Sequence, residues 1–261
     1  MAVASIVALL SLVVVLIALA GQPFGDAARA AGAVNPDVSS IVDRVDEERA
    51  LGDLRGLSGE EPLCAAGSCR TLRNRLTGTE DLNWAMDYVL AETAGLGFSV
   101  IEDPWKDGRW FDRNLILRKT GVVTPSEEVW FVAHVDGVAS CVDGRCPAAD
   151  DNGSGAVAAL EMARAFSEAL FARSVVLFFS TGEEQGTLGV NAYLRDATPA
   201  SLEAIHALVN ADMIGYDGDD DNAMELYYGG QDASLQLAYA MRDYVTTYAP
   251  ELRPKIDEGC G

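Results

Sequence analysis

Short apolar runs alternate with helical spacings through the second half of the chain. VWFVAHV within residues 128–135, VVLFF at 175–179, and the segments 204–210 and 224–228 are brief, apolar and bounded by polar residues, which predicts buried strands. Residues 115–118 read as a further short strand. Between these runs, residues 152–171 place Ala159, Met162, Ala163, Phe166 and Leu170 on one helical face, and two more helices are expected near 188–195 and at 233–248. Strand alternating with helix predicts an α/β fold of three layers, a mostly parallel (mixed) sheet with helices on both faces. Upstream, Ile41, Val45, Ala50 and Leu54 predict one amphipathic helix over residues 40–57, docked on the main domain. Residues 56–78 read as a loop, and 79–96 as a helix capped by Thr79 and closing near Gly95 and Gly97.

The first twenty residues break this pattern, being uncharged and almost wholly apolar. A run of about 20 such residues is long enough to cross a bilayer. Ala28-Arg29-Ala30 fits a small-x-small cleavage site, whereas the length of the run and its lack of a basic start fit a retained anchor. Residues 1–30 are therefore a signal peptide or a membrane anchor, 31–58 an N-terminal helical segment, and 59–261 the main domain. Both leader readings export the domain: secreted, periplasmic, or anchored outside the cytoplasm. Cys64 and Cys69, like Cys141 and Cys146, are five residues apart around short glycine-containing loops, and in an exported chain they read as disulfides. Cys260 is left over, as if its partner lay further on in a longer parent chain.

Charge narrows the function classes. With 19 basic and 40 acidic residues the chain carries −21, and its basic residues are scattered. A nucleic-acid partner needs Lys and Arg clusters to neutralise phosphates, so that class is excluded. The excess acid fits solubility.

The chemistry concentrates where the predicted strands end. His134 and Asp136 close the strand at 128–135, Asp150 and Asp151 precede the next helix, Glu183 and Glu184 follow 175–179, and Asp212 follows 204–210. Sites in open α/β sheets form beyond the carboxyl ends of the strands, so these segments are expected to converge. One imidazole (His134) and three carboxylates (Asp151, Glu184, Asp212) are a donor set for divalent zinc, and several carboxylates are needed to hold two such ions close together. Glu183 is then placed to take a proton from water, and Asp136 to accept the second imidazole N–H.

The stretches AHVDG (133–137), ADDNGSG (149–155), STGEEQGTLG (180–189) and NADMIGY (210–216), in this order and spacing, resemble the zinc aminopeptidase family that includes the secreted bacterial leucyl-type enzymes. The resemblance runs from residue 51 to the end. It implies two Zn2+ ions: Asp151 bridging them, His134 and Asp212 completing one, Glu184 binding the other. It also implies Glu183 as general base, Asp136 as the partner of His134, and a non-proline cis peptide after Asp151. Peptides are the implied substrates, shortened from their N-termini. The family's remaining ligand is a histidine in a C-terminal segment, and the second histidine of this chain, His206, lies inside a predicted strand as a core or sheet-facing residue. The exopeptidase domain is therefore expected to be incomplete at its C-terminus, with weakened binding of the Glu184 metal and low or absent activity. A carboxypeptidase, a single-zinc cyclase, and a non-catalytic membrane-anchored ectodomain used for binding remain alternatives.

Overall fold

A computed structural model describes residues 36–218 and 221–259. The apolar leader and Cys260 lie outside them, and no helix among the described residues is long and apolar enough to cross a membrane. In chain order the elements are α1 (Pro36–Val42), α2 (Glu47–Leu57), β1 (Leu63–Ala65), β2 (Ser68–Arg70), α3 (Glu80–Thr93), β3 (Ser99–Asp107), β4 (Trp110–Lys119), β5 (Thr124–His134), α4 (Gly155–Ala165), β6 (Arg173–Ser180), α5 (Leu188–Asp196), α6 (Pro199–Glu203), β7 (Ile205–Asn210), β8 (Ala223–Tyr228), α7 (Asp232–Tyr248) and β9 (Arg253–Glu258).

Five strands form the central sheet in the order β3-β4-β6-β5-β7. β6 pairs parallel with β5, and β5 with β7, while β3 and β4 form an antiparallel hairpin added to the other side of β6. The sheet is mixed, and its three inner-to-edge parallel strands carry the predicted site. All eight residues of β6 are buried, as befits an inner strand covered on both faces. On one face Val129, Phe131, Ala133, Val175, Leu177 and Phe179 pack with α3 and α4 into the main core. On the other, Trp130, Val176 and Phe178 meet Val190 and Tyr193 of α5. Helices thus flank both faces.

α4 sits close against the sheet because its buried face is built from alanines, which let backbones approach. It is shorter than the expected 152–171. Residues 149–154 form an irregular turn, and beyond Ala165 the chain leaves the helix while Phe166 and Phe171 pack edge-to-face in the core.

Other expectations needed correction. The single helix over 40–57 is two helices, because Asp46 caps α2 by accepting the Arg49 N–H, and its own N–H goes to Glu161. The stretch read as a loop holds the β1–β2 hairpin, closed by the Cys64–Cys69 disulfide. Cys141 and Cys146 are likewise bonded. β3 and the first half of β4 went unread because that hairpin is largely exposed and polar, without a buried alternation. β9, mostly exposed, was missed for the same reason. β8 and β9 form their own parallel pair, and a cleft lined by Leu208, Val209, Met224, Leu226, Leu237 and Met241 separates β8 from β7.

Candidate metal centre

β5, β6 and β7 run parallel, so their carboxyl ends share one edge of the sheet, and each exit carries polar residues. His134 is the last residue of β5 and is 4% exposed. Its Nε2 lies 3.3 Å from Asp151 Oδ1 and 3.5 Å from Asp212 Oδ1, and one donor atom from each of the three falls within 4.8 Å of the others. Glu183 and Glu184 follow β6 on the neighbouring loop, and the carboxylate of Glu184 is not part of this group of three.

Asp136 is fully buried and organises that neighbouring loop. Its Oδ1 accepts the Glu183 N–H and its Oδ2 the Glu184 N–H, both at 3.2 Å, and Thr77 Oγ1 donates to Oδ2 at 3.3 Å. The imidazole contact is different from the expected one: His134 Nδ1 lies 3.2 Å from the main-chain oxygen of Asp136 and 3.6 Å from its Oδ1. Nδ1 therefore sits nearer the carbonyl than the carboxylate of Asp136, leaving Nε2 toward Asp151 and Asp212.

The turn before α4 couples two of the donors. The Asp151–Asn152 peptide is cis. Asn152 is buried, donating to the Ala211 carbonyl at 2.8 Å and accepting the Gly155 N–H at 2.9 Å. A Cβ at Gly155 would lie 2.6 Å from the Ala211 oxygen, so only glycine permits this close approach. Asp151 and Asp212 are thus tied through neighbouring residues. Asp150, which the resemblance leaves without a role, accepts the Gly215 N–H at 2.7 Å and steadies the loop after Asp212.

Crowding shows in the electrostatics. Burial pushes Asp151, Glu183 and Glu184 above the usual carboxylate range, and neighbouring carboxylates push further, partly opposed by His134. For His134 burial alone lowers the imidazolium, but Asp136 and Asp212 outweigh it and raise it to about 10.

Several supporting residues escaped the sequence reading. Arg75 and Thr77 lie in the stretch read as a loop. Asn114 accepts the Thr181 N–H at 3.2 Å, and Trp105 donates to Thr181 Oγ1 at 2.9 Å, bracing the β6 exit. No local pattern marks them, because the partners that tie them to the site are distant in sequence. His206 is exposed on β7, on the face opposite the buried Ala207 and Val209, so of the core or sheet-facing positions expected it does not occupy the core.

The donor set fits zinc. Nε2 of His134 is buried without a hydrogen-bond partner, an orphan facing two carboxylates. Two donors each about 2.0–2.1 Å from one tetrahedral ion stand roughly 3.3 Å apart, close to the spacing of His134 from Asp151 and Asp212.

A model for peptidase family M28 matches residues 114–258, a span that contains every predicted site residue. The chain is 28% identical over 239 residues to a probable leucine aminopeptidase of Trichophyton verrucosum, covering 86% of this chain and 59% of that relative. LapA of Legionella pneumophila shares the fold with a TM-score of 0.67 at 18% identity, over 88% of this chain and 60% of that one. A glutaminyl cyclase of Porphyromonas gingivalis also shares it, with a TM-score of 0.59 at 19% identity, over 84% of this chain and 77% of that one. The chain spans about 59% of the length of the curated relative.

Proposed function

Because this chain belongs to peptidase family M28, we propose that it acts as a zinc aminopeptidase that removes N-terminal residues from peptides. The observation that carries this reading is the orphaned Nε2 of His134 facing Asp151 and Asp212, beside a glutamate pair suspended from Asp136.

Two Zn2+ ions would be held by His134, Asp151, Asp212 and Glu184. When bound, they supply Lewis acidity that polarises a peptide carbonyl and lowers the pKa of water. Glu183 takes the proton from the attacking water and returns it to the leaving amine, a task suited to a carboxyl held above its usual range. Asp136 keeps Glu183 and Glu184 in register through their backbone N–H groups and holds His134 through its carbonyl. The proposed compartment lies outside the cytoplasm, a reading supported by the two disulfides.

The test is hydrolysis of aminoacyl-anilides by this chain with zinc, with a chelator, and with Glu183→Gln. Low zinc-dependent release that both treatments abolish is expected. Release that survives chelation and Glu183→Gln overturns the mechanism. Formation of pyroglutamyl product from glutaminyl peptides, without anilide hydrolysis, would replace the peptidase reading with a cyclase.

A further inference from the structure

Arg75 is entirely buried, yet all four of its side-chain hydrogen bonds go to backbone carbonyls. Nε donates to Val135 at 2.7 Å, Nη1 to Leu57 at 2.6 Å and to Pro147 at 3.0 Å, and Nη2 to Ala148 at 2.7 Å. Such charge-assisted bonds offset the hydration a guanidinium loses on burial. Three of these acceptors lie in the two loops that carry the metal donors. Val135 stands between His134 and Asp136, and Pro147 and Ala148 come just before Asp150 and Asp151.

Its main chain joins the same arrangement. The Arg75 carbonyl accepts the Gly137 N–H at 2.9 Å, so the residue grips the exit of β5 with both side chain and backbone. Ala148 is left-handed (φ 45°), and its carbonyl also receives the Gly153 N–H at 3.0 Å, closing the loop around Asp151. A Cβ at Gly153 would press to 3.0 Å from that carbonyl and 3.4 Å from Arg75 Nη2, so the space beside the guanidinium is already filled. Burial lowers Arg75 to about 10, with Asp136 and Asp151 holding it up, so it stays charged at neutral pH. Arg164 makes the comparison plain: it pairs with Asp53, Glu92 and Glu161 and ties helices together, whereas Arg75 spends its whole fork on loops at the site and on the last residue of α2.

We propose that Arg75 is a positioning residue for the metal centre, setting the separation between the His134 loop and the Asp151 loop without touching metal or substrate. This inference rests on the zinc reading above. A planar fork of five donors can hold two loops and a helix end at once; a lysine ammonium at the same place cannot reach them all.

The experiment measures zinc dissociation constants by chelator competition for the wild-type chain, Arg75→Lys and His134→Ala. Arg75→Lys, folded by circular dichroism, is expected to bind zinc about 10–100-fold more weakly than wild type. Zinc affinity within twofold of wild type in folded Arg75→Lys overturns the positioning role alone. Wild-type binding no tighter than that of His134→Ala removes the zinc reading, and this inference with it. Should Arg75→Lys fail to fold, the wild-type protein decides, using 15N-arginine resonances. Zinc is expected to shift the Arg75 Nε–H and slow its exchange more than at Arg164. Equal effects at the two arginines overturn the proposal.

Discussion

The side-chain amide of Asn152 donates to the carbonyl of Ala211 across 2.8 Å in a buried contact. That bond links the turn carrying Asp151 to the exit of β7, one residue before Asp212. Asn152→Ala leaves the Ala211 carbonyl without this donor, at a cost of about 1–3 kcal/mol. Zinc affinity is expected to fall together with the urea midpoint. Unchanged zinc binding would show that the two donor loops are set independently.

Glu183→Gln keeps the size of the side chain and removes its basicity. Peptide hydrolysis is expected to fall by about 10²–10⁴-fold, with zinc binding retained. Single-turnover rates and zinc content, measured on the same preparation, separate the two effects. Loss of zinc along with activity would instead give Glu183 a ligand's role.

Asp136→Asn tests the suspension of the glutamate loop. The wild-type carboxylate accepts two N–H groups and the Thr77 hydroxyl, whereas an amide offers one oxygen and points donors at the rest. Destabilisation of about 1–3 kcal/mol is expected, with activity reduced more than binding of the first zinc. Calorimetric zinc titration beside urea unfolding measures both, and wild-type values in each would contradict the role assigned to Asp136.

Asp112 gives a pH prediction away from the metal donors. Its carboxylate accepts the Gly78 N–H at 2.9 Å, anchoring the end of the segment that holds Arg75 and Thr77. Burial raises its pKa, despite opposing hydrogen bonds from the Gly78 and Arg113 backbones. An acid raised in the fold contributes stability that is present below its unfolded value, about 3.9, and is lost as pH rises through the folded one. Asp112→Asn mimics the protonated form, so its stability relative to wild type is expected to increase from pH 4 to pH 7. Urea midpoints of the two proteins at both pH values test this, and a difference that stays constant or shrinks contradicts it.

The sequence by itself determined the layered α/β fold and the strand-end positions of His134, Asp136, Asp151, Glu183, Glu184 and Asp212. Both follow from local information: apolar runs too short for helices, and polar clusters where those runs stop. The chain also marked Thr79 as a cap and paired its first four cysteines, because each involves near neighbours. Only the tertiary structure decided that two carboxylates close around His134 Nε2 while Glu184 stands on the adjacent loop, and that the Asp136 carboxylate serves the glutamate loop more than the imidazole. It also decided the role of Arg75, whose acceptors lie 18 to 73 residues away. A side chain's long-range partners are fixed by how loops meet at the sheet edge, and no periodicity along the chain records that meeting.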